Sequence, residues 1–235
     1  MRSLKKYSLI YIIMVCCIAV LSGCSITGSY EGKDLVDRAK KLHTELEAAH
    51  IQVKDRINGV IVQEIWYRFA GDVMQYMYIG RDQETGEEYY EFNNGTELDT
   101  WHTGDTAWSF AAKGSEGFYN YSRAKRHYFA DGELLLNDYA SAVKTAKIIS
   151  EVGEAKRVIV SYDDSKISQN EQMTGVTDYC QEYLLSVHRE GECSGLTVSY
   201  LLDGKEQKFM IAVQECDPSA PIERAEPTAL TENAQ

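Results

Sequence analysis

Residues 50–69 read "HIQVKDRINGVIVQEIWYRF", and they decide the fold class. From 50 to 57 apolar and polar residues alternate, with Ile51, Val53 and Ile57 on one side. Residues 60–69 form a second run rich in β-branched and aromatic side chains. Asn58 and Gly59 stand between them, the pair a tight type I′ hairpin prefers because both central residues need positive φ. A two-residue loop sets Ile57 opposite Val60, Val53 opposite Glu64 and Ile51 opposite Trp66. The chain therefore begins an antiparallel sheet here.

Downstream the same pattern repeats. Gly71 and Asp72 turn into "VMQYMYIG" (73–80), and "EYYEF" (88–92) leads through Asn93, Asn94 and Gly95 to "TELDTWH" (96–102). "TAWSFAA" (106–112) and "FYNYS" (118–122) follow. Short turns between consecutive strands make them antiparallel neighbours. Residues 132–146 are expected to hold a short helix. After it come strands at 156–162, 176–187, 194–202 and 206–215, with Asp203 and Gly204 as a second hairpin turn; 176–187 also fits a helical period. Upstream, Leu35, Ala39, Leu42, Leu46 and Ala49 make a helical stripe starting at Asp34, whose carboxylate is expected to cap the helix.

The threaded register leaves a surplus of apolar residues. One face carries Ile51, Val53, Ile57, Val60, Val62, Trp66, Met77 and Ile79. The other carries Ile61, Ile65, Tyr67, Phe69, Met74, Tyr76 and Tyr78. A solvated sheet is polar on one side, and one helix of about four turns cannot cover both faces. Sixteen of the 25 aromatic residues fall between Trp66 and Phe129, including every tryptophan. The expected fold class is α+β, an N-terminal helix packed on a large curved antiparallel β-meander; a β-sandwich core is the alternative use of these side chains. Trp66, Tyr76, Tyr78, Trp101, Trp108 and Phe110 are candidate liners of an apolar groove, with Glu64 and Arg68 as its polar groups. Glu64 paired with Arg68, or lying at the sheet rim, is the plainer expectation for those two.

Residues 1–24 place the chain. Arg2, Lys5 and Lys6 precede an apolar run over 9–20, too short for a membrane span. "LSGC" (21–24) follows and resembles the lipobox of bacterial lipoproteins. That resemblance implies a signal peptide over 1–23 and diacylation of Cys24, whose two chains would hold the protein stably on the extracytoplasmic side of the cell membrane. Residues 24–32 are then a short tether, 33–216 one α+β domain, and the proline-bearing 217–235 a disordered tail. Removing 1–23 leaves 21 basic against 36 acidic residues, a formal charge of −15. That balance argues against nucleic acid as a partner. The basic cluster "RAKRH" (123–127) is expected to be a solvated loop.

Helix, long meander, central helix and further strands, in that order over 33–215, resemble the LolA/LppX-type lipoprotein-carrier half-barrel. That resemblance implies a concave apolar face that holds acyl chains. No nucleophile elbow, zinc motif, phosphate loop or dinucleotide turn is present, so no catalytic residues, metal or cofactor are expected. Two functions stay open, a carrier of an apolar, lipid-like molecule and an interaction or sensor domain facing an envelope protein. Three cysteines remain after processing. Threading the Asp203 and Gly204 turn sets Cys193 opposite Gln214 and makes Cys216 its diagonal neighbour, so a Cys193–Cys216 disulfide with Cys180 free is expected.

Overall fold

The structure, a computed structural model, describes residues 31–121, 140–152, 155–169, 173–186 and 192–227. Helix α1 (Lys33–Glu45) precedes β1 (Ala48–Asp55), β2 (Ile61–Ala70), β3 (Val73–Arg81), β4 (Glu88–Asn93), β5 (Glu97–His102) and β6 (Ser109–Ala112). A 3₁₀ turn (Ala140–Ala142) leads into β7 (Val143–Val152), followed by β8 (Ala155–Tyr162), the short helix α2 (Asp164–Ile167), β9 (Val176–Ser186), β10 (Cys193–Leu202) and β11 (Lys205–Glu215). All eleven strands form one open, curved, antiparallel sheet in the order β6-β5-β4-β3-β2-β1-β11-β10-β9-β8-β7. Two meanders are thus fused through the β1–β11 pair, from Ala49 opposite Glu215 to Asp55 opposite Phe209. The edges are β6 and β7.

The main buried cluster lies on the face that also receives α1, called here the helix face. It joins Val36 and Ala39 of α1 to Val53, Ile65, Tyr67, Phe69, Met74 and Tyr76 in one meander and to Val158, Val160, Tyr179, Tyr183, Val198 and Ile211 in the other. Each such large side chain contributes about 1.5–3 kcal/mol when fully buried. A smaller cluster of Met77, Tyr90, Trp101 and Trp108 occupies the far face, with Trp66, Ile79 and Phe92 beside it. Both faces are apolar, as the alternation predicts.

Several expectations are corrected. The first hairpin is not a two-residue turn. Asp55 N–H donates to Val60 O and Gly59 N–H to Asp55 O, while the Asp55 carboxylate accepts from Ile57 N–H (2.7 Å) and Asn58 Nδ2 (2.7 Å). That side chain starts the turn early, with Lys54 opposite Ile61, and a bulge in β2 between there and Gln63 then slips the pairing by one residue, so Val53 faces Gln63 and Ile51 faces Ile65. Ile51 and Val53 consequently share the helix face with Ile65, not the far face with Trp66. Helix α1 is preceded by Gly32 without a side-chain cap, and Leu46 and Ala49 lie beyond its end. The buried helix positions are Val36 and Ala39, and Leu42 is 41% exposed.

The central helix expected over 132–146 is strand from Val143 onward, and 132–139 fall outside the described residues. Residues 118–121 carry no strand; Phe118 and Tyr121 pack on the main cluster instead. Residues 1–30, with Cys24, and the basic cluster 123–127 also lie outside the described residues. Residues 217–227, expected to be disordered, pack on the far face through Ile222 and Ala225.

The second hairpin keeps its expected register, Leu202 opposite Lys205 and Leu196 opposite Ile211. Its cysteines nevertheless stay free. The β10–β11 ladder begins only at Leu196, whereas Cys193 pairs with Leu185 of β9. The strands have parted before the diagonal pair is reached, leaving a cleft of about 390 Å³ lined by Cys193, Val213 and the end of α1. The Cys193 thiol donates to Gly195 O (3.1 Å) and burial pushes it up to about 11. Alkylation of the unreduced native protein is therefore expected to label Cys216 first and Cys193 last, with all three labelled once unfolded. A peptide map containing a Cys193–Cys216 bridge would overturn the assignment.

Candidate ligand-binding cleft

Where β2, β3, β4, β5 and β11 end on the helix face, a cleft of about 600 Å³ opens. Its floor is set by alternation. Tyr78, Tyr89, His102 and Phe209 follow it to this face, the bulge in β2 brings Val62 there as well, and Gly80 lies between Tyr78 and the rim. Gly80 is there because a Cβ at that point would stand 2.8 Å from the Tyr78 hydroxyl. Tyr78 and Tyr89 have ring centroids 6.0 Å apart, and Tyr89 and His102 4.5 Å apart, a near-continuous aromatic wall. The rim is the β3–β4 loop. Asp82 holds it by accepting from the N–H groups of Glu84 (2.8 Å) and Thr85 (2.7 Å), which keeps its carboxyl below the usual range. Asp82, Glu84, Glu87 and Glu88 thus face the opening against one cation, Arg81, which pairs with Glu88.

Behind the wall lies a buried carboxylate. Glu91, 4% exposed, accepts from the hydroxyls of Tyr76, Tyr89 (2.5 Å) and Tyr119 (2.5 Å). Burial, then the Glu91 charge and hydrogen bond, raises the Tyr76 hydroxyl well above its ordinary value; burial and the Glu91 hydrogen bond do the same for Tyr89. These groups stay protonated and act as donors. Tyr89 therefore links the cleft wall to a fixed polar hub. In the other meander Gln181 is the hub. Its Oε1 accepts from Tyr162 (2.5 Å) and Tyr183 (2.8 Å), and its Nε2 donates to Tyr179 (3.0 Å).

The residues singled out from sequence do not converge. Tyr78 lines the cleft. Tyr76 is fully buried behind it in the main cluster. Trp66, Trp101 and Trp108 belong to the far-face cluster, and Phe110, opposite Asp99 on β6, is 70% exposed. Glu64 accepts from Gln52 Nε2 (2.6 Å) and pairs with His50 (2.8 Å), not with Arg68. Arg68 donates to Gln75 Oε1 (2.7 Å) and to carbonyls of residues 218 and 219. Tyr89, Glu91, His102 and Phe209 were missed, although "EYYEF" carries the signal: its alternation puts Tyr89 and Glu91 on one face and Tyr90 and Phe92 on the other. Among the described residues, no three His, Cys, Asp or Glu side chains gather as a metal site.

A single open, curved sheet with its helices on one face defines the class of fold. No protein-family model matches the chain, and no curated protein does. Solved structures do. The chain is similar to the Mycobacterium tuberculosis lipoprotein LppX, with a TM-score of 0.50 and 9% identity over 81% of this chain and 97% of that one. It is also similar to LprF from Mycobacterium bovis, with a TM-score of 0.48 and 10% identity over 82% of this chain and 100% of that one. The fold is therefore LppX-like, as the order of elements implies.

Proposed function

We propose that the chain is a membrane-anchored extracytoplasmic lipoprotein, held by acylated Cys24, whose domain binds an amphiphile without catalysis. The apolar part of the ligand lies along Val62, Tyr78, Tyr89 and Phe209, and a neutral or cationic head meets the acidic rim. The observation that carries this reading is the cleft of about 600 Å³ on the helix face. It falls in the usual size range of small-molecule sites and combines an apolar floor with a few fixed polar groups. The lipobox and the LppX-like fold support it. A carboxylate head would meet four carboxylates and one already paired arginine, so a free fatty acid is the poorer ligand.

The test is to purify the protein with Cys24→Ala, extract it for lipid, and titrate environment-sensitive acyl probes with amine, choline or carboxylate heads. Binding of the amine or choline probe is expected to exceed that of the carboxylate probe by about tenfold at low salt, narrowing as salt screens the rim. Gly80→Ala, whose added methyl meets the Tyr78 hydroxyl in the cleft lining, is expected to weaken all probes several-fold. Tryptophan emission is expected to stay still, because the tryptophans sit on the other face. Equal binding of wild type and Gly80→Ala, or no binding of any probe at micromolar concentration, would sink the reading.

A further inference from the structure

The far face has its own occupant. After Cys216, whose N–H donates to Ala48 O (3.1 Å), the chain leaves the sheet and lies over the far-face cluster without adding a strand. Arg68 holds the start of this segment by donating to the carbonyls of Pro218 (3.4 Å) and Ser219 (3.2 Å). Ile222 and Ala225 sit on Met77, Tyr90, Trp101 and Trp108. Arg224 is the centre of the arrangement. Its Nη1 donates to Asp99 Oδ2 (2.9 Å), and its guanidinium carbon lies 4.9 Å from the centroid of Trp108. An acid floor beneath an aromatic wall is a guanidinium seat.

That seat is only half used. Asp99 is 6% exposed, and its Oδ1 has no hydrogen-bond partner among the described residues. Arginine and carboxylate prefer two parallel hydrogen bonds, and a buried oxygen left without a donor costs about 1–3 kcal/mol. Glu226 Oε1 accepts from both Nε and Nη2 of Arg224, which turns the planar fork toward Glu226 and leaves Nη1 alone on Asp99. Glu226 in turn is held by Trp108 Nε1, which donates to its Oε2 (3.1 Å). A guanidinium without that neighbouring acid would engage Asp99 through both oxygens. Phe110 adds uncovered apolar surface on the same face, directly across from Asp99.

We propose that the far face is a docking surface for an extended, arginine-bearing segment of another envelope protein, with residues 217–227 as its occupant in cis. The partner presents an apolar residue close to an arginine, as Ile222 and Arg224 do, and lacks an acid two residues after that arginine. The negative charge of the mature chain, −15, favours such a basic segment at long range.

The full chain with Arg224→Ala tests this, because it empties the seat without removing the segment. All three tryptophans are on this face, so emission is expected to shift to the red. A synthetic peptide of residues 218–228 is expected to reverse the shift and to bind this variant about tenfold more tightly than the wild-type chain, where the cis arginine competes. The same peptide with Arg224→Ala should lose at least about tenfold. With Glu226→Gln, which leaves Trp108 an acceptor but frees the guanidinium, it should bind several-fold tighter. A peptide whose affinity ignores Arg224 overturns the proposal, as does weaker binding of the Glu226→Gln peptide. So does a concentration-dependent dimer formed by exchange of these segments, which would make the occupant a second copy. Should Arg224→Ala fail to fold, Asp99→Asn in the full chain takes its place, with loss of peptide binding expected and unchanged binding overturning the seat.

Discussion

Raising the pH from about 9 to 12 is expected to unfold the domain in one cooperative step. The cause is the set of tyrosine hydroxyls that the fold holds protonated. Burial, then the Glu91 charge and hydrogen bond, raises Tyr76; burial and its tyrosine neighbours raise Tyr183 well above the ordinary value. Tyr89 and Tyr119 are raised by burial and Glu91, Tyr121 likewise, and Tyr90 is pushed up to about 12 by burial and Glu88. The sign follows from linkage. A native hydroxyl that titrates above its unfolded value, about 10, keeps its proton while the unfolded chain loses it, so stability is complete below pH 10 and falls above it. Each fully shielded group then costs roughly 1 kcal/mol or a little more per pH unit. Tyr76 and Tyr183, at 0% and 2% exposure, alone remove about 4–5 kcal/mol by pH 12, comparable with the whole stability of many domains. Partly exposed Tyr119 adds less because water screens it. Tyrosinate absorbance and far-UV circular dichroism should therefore change together. Gradual tyrosinate formation with the sheet signal intact would contradict the shielding.

The same tyrosines show what a linear reading can and cannot reach. Strand alternation identifies the meander because a period of two is set by the pleat itself. Turn geometry is less transparent. Asp203 and Gly204 both take positive φ, 50° and 78°, and the hairpin register read from them holds. Asn58 and Gly59 look equally good, but only Gly59 has positive φ. A carboxylate at Asp55, outside the dipeptide, decides that turn. The strand β7 was hidden because it follows an Ala- and Leu-rich stretch, and alanine-rich runs read as helix. The cleft was hidden for a different reason. Aromatic density marks the meander but not which face each ring takes, and the three tryptophans all lie away from the cleft. The polar hubs Glu91 and Gln181 are legible only once cross-strand neighbours are known. Glu91 accepts from tyrosines on three separate segments, and the tyrosines around Gln181 come from β8 and β9.

Gln181 is expected to be the most sensitive polar position in the second meander. It is fully buried, and Tyr162 and Tyr183 both donate to its Oε1. Gln181→Met keeps the length and most of the volume of the side chain, so packing changes little. It removes the acceptor from two buried hydroxyls and the amide that donates to Tyr179. Each stranded hydroxyl costs about 1–3 kcal/mol, so a loss of roughly 3 kcal/mol is expected. In a domain of this size that lowers Tm by about 6–12 °C. The asymmetry between removing one partner and removing all of them supplies the control. Adding Tyr162→Phe and Tyr183→Phe to Gln181→Met takes away the stranded hydroxyls, and most of the lost stability should return despite three substitutions in the core. Urea midpoints of the single, double and triple variants measure it. A cost below about 1 kcal/mol for Gln181→Met, or a triple variant no more stable than the single, would show that the tyrosines are held by packing alone. Recovery in the triple variant would place the hub among the polar networks that fix one arrangement of a core whose apolar packing would tolerate several.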